Sequence, residues 1–134
     1  MKKELFAMLL ALAALPAAAD GVRVPPSPAY KAECGSCHVA YPPQLLPGAS
    51  WQQLMAQLER HFGSDASLDA TAQQEIGRYL AAHAGGRAAP AGAEPRITHT
   101  RWFLKEHRGE IPATKNPASC AACHKGAEDG YYED

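Results

Sequence analysis

The sequence predicts an all-α fold built from two small helical units, and three observations carry that prediction. No stretch of useful length alternates apolar and polar residues at the period of a strand. Ser-Pro and Asn-Pro pairs, Gly and Pro breaks, and apolar residues at helical spacing mark a series of short helices instead. The four cysteines form two C-x-x-C pairs, Cys34 with Cys37 and Cys120 with Cys123, one in each half of the 134-residue chain. Hydrophobic residues make up 46% of the chain, but alanine inflates that figure and only ten residues are aromatic.

The N-terminal segment, 1–19, reads as a secretory signal peptide. Met1-Lys2-Lys3 is a positive start, Leu5 to Leu15 is a short apolar run, and Ala17-Ala18-Ala19 is an A-x-A cleavage site. The run is too short to span a membrane, and no later one is long enough, so the mature chain is expected to be soluble. Two lysines and one glutamate leave with the signal, so 13 basic and 14 acidic residues become 11 and 13. A small acidic excess argues against a nucleic-acid binder.

The first unit, 20–86, opens on a proline-containing lead-in. Ser27-Pro28 is a helix start, a capping side chain followed by proline at the first helical position. That helix is expected to carry Cys34 to His38 and to end before Tyr41-Pro42-Pro43. Pro42 to Ala49 reads as a loop whose Leu45 and Leu46 could pack on a cofactor edge. Ser50 and Gln53 fit a capping box for a second helix, with Trp51, Leu54, Met55, Leu58, His61 and Phe62 at helical spacing and Gly63 as its stop. Ser67 or Asp69 caps a third helix with Ile76, Tyr79, Leu80 and His83 on its apolar face, ended by Gly85-Gly86. Residues 87–95 are rich in Ala, Gly and Pro and read as a linker.

The second unit, 96–134, is short. Thr98 or Thr100 starts a helix through Trp102, Phe103, Glu106 and His107, which Gly109 and Pro112 end. Asn116-Pro117 repeats the helix-start device upstream of Cys120. The tail from Gly130 is acidic, with two tyrosines, and a short charged terminus is mostly just solvated.

Both cysteine pairs run straight into histidine, Cys34-Gly35-Ser36-Cys37-His38 and Cys120-Ala121-Ala122-Cys123-His124. This is the attachment pattern for a covalent c-type haem. The two thiols reach the two vinyl groups of one porphyrin, and the following histidine aims its imidazole at the iron. The rival readings fit less well. A zinc site made from both pairs would space them about 15–20 residues apart, whereas 82 residues separate Cys37 from Cys120. A thioredoxin-like redox pair needs a βαβ setting, and structural disulfides leave both histidines unexplained. Two covalent haems are expected, with His38 and His124 as proximal ligands. Their apolar plates would supply much of the interior that a chain this small lacks.

The sixth ligands decide what the haems do. Met55 is the one methionine left after the signal is removed, so at most one iron could have His/Met coordination. Its place beside Leu54 and Leu58 fits a core role better. Four histidines remain. His61 lies in line with Leu54 and Leu58, and His107 is four residues after Phe103; these two are preferred. His83 sits in a last helical turn, where complementing the helix C-terminus is its ordinary role, and His99 sits at a helix start. Which histidine serves which haem stays open. Two imidazoles leave an iron no open position, which favours electron transfer. A haem enzyme or gas sensor would need one five-coordinate iron, and low-spin or high-spin absorption bands separate the two.

The chain also resembles the small soluble dihaem cytochromes c of bacterial periplasms. The likeness rests on Cys34 to His38 with Tyr41-Pro42-Pro43 and Leu45-Leu46-Pro47, on Ser50-Trp51, and on His61-Phe62-Gly63 with Asp65-Ala66-Ser67-Leu68. It continues through Tyr79-Leu80, Arg101-Trp102-Phe103 with His107, and Cys120 to His124. The resemblance implies two cytochrome c-like haem domains, the first a shortened class I cytochrome c and the second distinct. It implies bis-histidine, low-potential haems, in keeping with the reading of the residues as an electron carrier and not an enzyme. It also implies that electrons pass from a membrane b-type cytochrome to a small oxygen-binding monohaem cytochrome.

Overall fold

The computed structural model describes residues 26–86 and 94–132. The expected signal peptide and most of the expected linker lie outside them. The described residues are helical and contain no strand; one isolated bridge joins His61 to Ser64.

Helix α1 (Pro28–Cys34) begins as the sequence predicts. Ser27 caps it by accepting the Tyr30 N–H, with Pro28 in the first turn. It ends sooner than predicted. The Ser36 hydroxyl donates to the Glu33 carbonyl at 2.9 Å, competing with the helical ladder. Cys37 and His38 therefore sit on the turns beyond the helix.

Helix α2 (Gly48–Met55) starts two residues before the predicted cap. The Pro47 carbonyl takes both the Ser50 and the Trp51 N–H, so Ser50 is buried in the first turn rather than capping it. The predicted run to Phe62 does not form. A 3₁₀ turn (Leu58–Arg60) follows, and the chain then reverses with Phe62 at φ 52° and Gly63 at φ 98°. The Ala66 N–H closes this loop onto the Leu58 carbonyl at 2.9 Å.

Helix α3 (Ala70–His83) is capped by Asp69, whose carboxylate accepts from the Thr71 and Ala72 N–H groups at 2.8 and 3.0 Å. Ile76 and Leu80 are buried, whereas His83 is exposed and does not extend the apolar face. Past the helix, the Gly85 N–H donates to the Leu46 carbonyl, and a Cβ at Gly85 would run into the Gln44 carbonyl. Only glycine permits that approach.

In the second half a 3₁₀ turn (Ile97–His99) leads into α4 (Arg101–Glu106). Thr100 is its cap: the buried hydroxyl accepts the Phe103 N–H and donates to the Ile97 carbonyl. The predicted helix at Asn116-Pro117 is absent. The Asn116 side chain instead accepts the Ala118 N–H, closing an Asx turn, and Cys120–Ala122 forms a single 3₁₀ turn. A last 3₁₀ turn (Ala127–Asp129) ends at Gly130, at φ 82°.

One core serves both halves. Tyr30, Leu45, Leu46, Trp51, Ile76 and Leu80 from the first pack with Ile97 and Phe103 from the second. The polar atoms this buries find partners. The Trp51 indole N–H donates to the Pro43 carbonyl at 2.7 Å and the Tyr30 hydroxyl to the Tyr41 carbonyl at 2.6 Å. Across the halves, the Tyr41 hydroxyl donates to the Ala118 carbonyl at 2.9 Å. An exposed ion pair, Lys31 with Asp129 at 2.7 Å, adds little to stability.

Ile76 is fully buried, so Ile76→Ala should cost about 2–5 kcal/mol. A lower urea midpoint of the haem-loaded protein would register it. Leu104 is 58% exposed, and Leu104→Ala should move that midpoint by less than about 0.5 kcal/mol equivalent.

Candidate functional site

The two attachment motifs present their thiols alike. Cys34 and Cys120 are half-buried, Cys37 and Cys123 are exposed, and none of the four forms a disulfide. Burial pushes the Cys34 thiol up to about 11, with Glu33 adding to the effect, and burial raises Cys120 as well. Each motif thus has an inner, neutral thiol and an outer, accessible one.

In the first half, His38 faces His61. Their ring centres lie 6.3 Å apart with planes 20° from parallel. The His38 Nδ1 lies 2.8 Å from the Val39 carbonyl. A carbonyl only accepts, so Nδ1 carries the proton and Nε2 keeps its lone pair for a metal. The Tyr41 ring stacks on His38 at 4.9 Å. His61 is half-buried, and desolvation holds its pKa below the ordinary value, helped by His38 and Arg96. The neutral ring that results is the form a metal binds. Its Nδ1 is buried with no hydrogen-bond partner among the described residues, an orphan in a site otherwise well satisfied.

The turn that presents His61 is strained. A left-handed residue other than glycine costs about 1–2 kcal/mol, and Phe62 is such a residue. Two contacts hold it there. The Phe62 ring meets His61 edge-on at 4.7 Å, and the Arg96 guanidinium lies 4.1 Å from its centroid. A cation over such a half-buried ring offsets about 0.5–1 kcal/mol of that strain.

In the second half, His124 faces His107 at 6.1 Å, with planes 88° apart. His107 is the residue after α4. Its Nδ1 lies 3.0 Å from the Phe103 carbonyl, and its ring stacks on the Phe103 ring at 4.1 Å and 20°. Again Nε2 keeps its lone pair. His107, His124, Cys120 and Cys123 line one cavity of about 340 Å³, with Leu45, Ile97, Trp102 and Ile111 among its apolar walls. That is within the usual range for a buried small-molecule or cofactor site.

Both spacings fit one metal ion held between two imidazoles. A metal takes a histidine nitrogen at about 2.0–2.1 Å, which sets two rings facing across it with centres roughly 6 Å apart. Apolar walls, paired thiols and opposed imidazoles together suit a porphyrin iron. The remaining candidates stand elsewhere. His83 stacks on Tyr79 and has its Nδ1 2.9 Å from the carbonyl of that residue. His99 is exposed. Met55 packs against the core and lines a small cavity with Trp51 and Leu80. The sequence reading did not find Tyr41, Arg96 or Tyr132 at these sites. Arg96 comes from the other half of the chain, whereas Tyr41 meets His38 three residues before it and Tyr132 meets His124 eight before it, in turns where no helical spacing marks them.

The model of the dihaem cytochrome c family matches residues 30–132. Among solved structures, the chain is similar to the diheme cytochrome c from Rhodobacter sphaeroides, with 41% identity and a TM-score of 0.69. That match covers 78% of this chain and 95% of the other. The diheme cytochrome c from Shewanella baltica OS155 matches at 39% identity and a TM-score of 0.67, covering 82% and 89%. No curated protein matches the chain. The family match spans most of the chain and the residues fit the cofactor, so the chain belongs to the dihaem cytochrome c family and holds two covalently bound c-type haems.

Proposed function

We propose that this protein is a low-potential electron carrier of the bacterial periplasm rather than an enzyme. Cys34 and Cys37 would attach one haem, whose iron His38 and His61 would hold. Cys120 and Cys123 would attach the other, whose iron His124 and His107 would hold. The observation that carries this reading is the facing of each motif histidine by a second histidine at metal-spanning distance, 6.3 Å in one half and 6.1 Å in the other.

When bound, each haem supplies an iron that gains or loses one electron. The chain's own residues decide that it does little else. With an imidazole from either side holding the iron, oxygen or substrate would reach it only by displacing a histidine. Imidazole on both sides stabilises ferric iron relative to a His/Met pair, which lowers the potential. Carbonyls at Val39 and Phe103 hold Nδ1 of His38 and His107, which keeps Nε2 directed at the metal. Electrons would arrive from a membrane cytochrome b and leave to a soluble oxygen-binding monohaem cytochrome. The likeness of the intervening segments to periplasmic dihaem cytochromes supports this route, and the signal-peptide pattern of 1–19 supports export. The division into a first haem domain at 20–86, a linker at 87–95 and a second haem domain at 96–134 follows the placement of the two motifs.

Three measurements test this. Mass spectrometry of the purified protein should show two added haems with all four cysteines consumed; one haem, or free thiols at either pair, would count against it. The visible spectrum should be low-spin throughout. His61→Ala and His107→Ala should each turn one haem high-spin and leave the other low-spin, while His83→Ala changes neither. A methionine–iron charge-transfer band in the unmodified protein would overturn the ligand assignment.

A further inference from the structure

We propose that Tyr41 and Phe103 are positioning residues that fix the two axial imidazole pairs at different mutual angles, and so make the two haems electronically unequal. This rests on the ligand assignment proposed above. The observation is the contrast between the pairs: 20° between His38 and His61, 88° between His107 and His124.

Each pair has one ring held against an aromatic face. His38 is tethered at Nδ1 to the Val39 carbonyl but is otherwise exposed, so it could pivot about that bond. The Tyr41 ring, stacked on it at 28°, sets the plane. Tyr41 is itself fixed at both ends. Its carbonyl accepts from the Tyr30 hydroxyl at 2.6 Å, and its hydroxyl donates to the Ala118 carbonyl at 2.9 Å. Phe103 holds His107 twice over, by ring stacking and through its own carbonyl. Phe103 is buried and its N–H is taken by the Thr100 cap, so it offers a rigid face.

The angle matters because an imidazole donates π density perpendicular to its own plane. Two parallel rings push on the same iron dπ orbital, raise it and split the pair. Two perpendicular rings push on one orbital each and leave the pair nearly degenerate. A ferric low-spin iron has one hole in this set. With the pair split, the hole settles in the raised orbital and the orbital moment is quenched. With the pair degenerate, the moment survives and the magnetic anisotropy is large. The raised orbital also gives up its electron more readily, so the parallel site is the stronger reductant. At equilibrium a single electron then resides mainly on the second haem.

Electron paramagnetic resonance of the ferric, haem-loaded protein reads this directly. Two low-spin signals of equal weight are expected, one rhombic and one strongly anisotropic with a much higher largest g value. In a redox titration the rhombic signal should be lost at the lower potential. Tyr41→Leu should shift only the rhombic signal, and Phe103→Leu only the anisotropic one. Tyr41→Phe keeps the ring and loses only its hydroxyl anchor, so it should shift the rhombic signal less. Two superimposable rhombic signals in the unmodified protein would overturn the inference, whether or not the variants load haem. So would a rhombic signal unmoved by Tyr41→Leu. Either result would leave the bis-histidine assignment standing, whereas a high-spin ferric signal in the unmodified protein would overturn both.

Discussion

The constraint on which the rest of this structure depends is the opposition of two imidazoles across a gap the width of one metal ion, made twice. Each pair draws its rings from different turns of the chain, so neither half can rely on one local element. His38 lies past the end of α1 and its partner His61 on a loop beyond α2. His107 follows α4 and its partner His124 follows a single 3₁₀ turn. The packing of α1 and α2 on α3, and of Ile97 and Phe103 on that same core, brings these turns together. Hydrophobic burial here sets histidine positions as much as it sets stability.

The elements are too small to stand without that arrangement. Isolated helices shorter than about 12–15 residues are marginal in water, and among the described residues only α3, with 14, reaches that length. The second half is the extreme case, with one six-residue α-helix and the rest in turns. Its cavity opens between α4 and the attachment turn, at the place where a larger protein would put side chains. A covalent apolar plate in that space would complete the interior, and folding would then be coupled to cofactor loading. The strain at Phe62 belongs to the same economy of scale: a chain with few long elements turns sharply to bring His61 back towards His38, and tolerates a left-handed residue to do it.

Much of this was legible in the sequence. The attachment motifs are local, and local spacing is what sequence displays. The caps at Ser27, Asp69 and Thr100 were readable because a capping side chain acts on backbone only two or three residues away. His107 was readable because Phe103 lies four residues before it on the same helix face. His61 was picked out for a different reason than the structure supplies. Helical spacing from Leu54 and Leu58 pointed to it, yet the helix ends at Met55, and a 3₁₀ turn followed by a reversal at Phe62 delivers the ring. Periodicity counts residues and cannot register a positive φ between them. Asn116-Pro117 misled in the opposite sense, because a side chain that can cap a helix can equally close an isolated turn. The bond of Tyr41 to Ala118 and the place of Arg96 over Phe62 were invisible because those partners are far away in sequence. The stacking of Tyr41 on His38 was invisible because the chain from one to the other turns rather than follows a helix.

Those two long-range contacts show how closely the sites are built into one another. Both histidines of the first pair reach the second half through a single residue. Tyr41 stacks on His38 and bonds the carbonyl of Ala118, two residues before Cys120. Phe62 adjoins His61 and lies under Arg96. In return, Leu45 of the first half walls the cavity that holds His107 and His124. A displacement at either attachment turn therefore reaches the imidazoles of the other through one or two packed side-chain contacts. Such mutual construction ties the geometry of each histidine pair to that of the other, through the one core that both halves share.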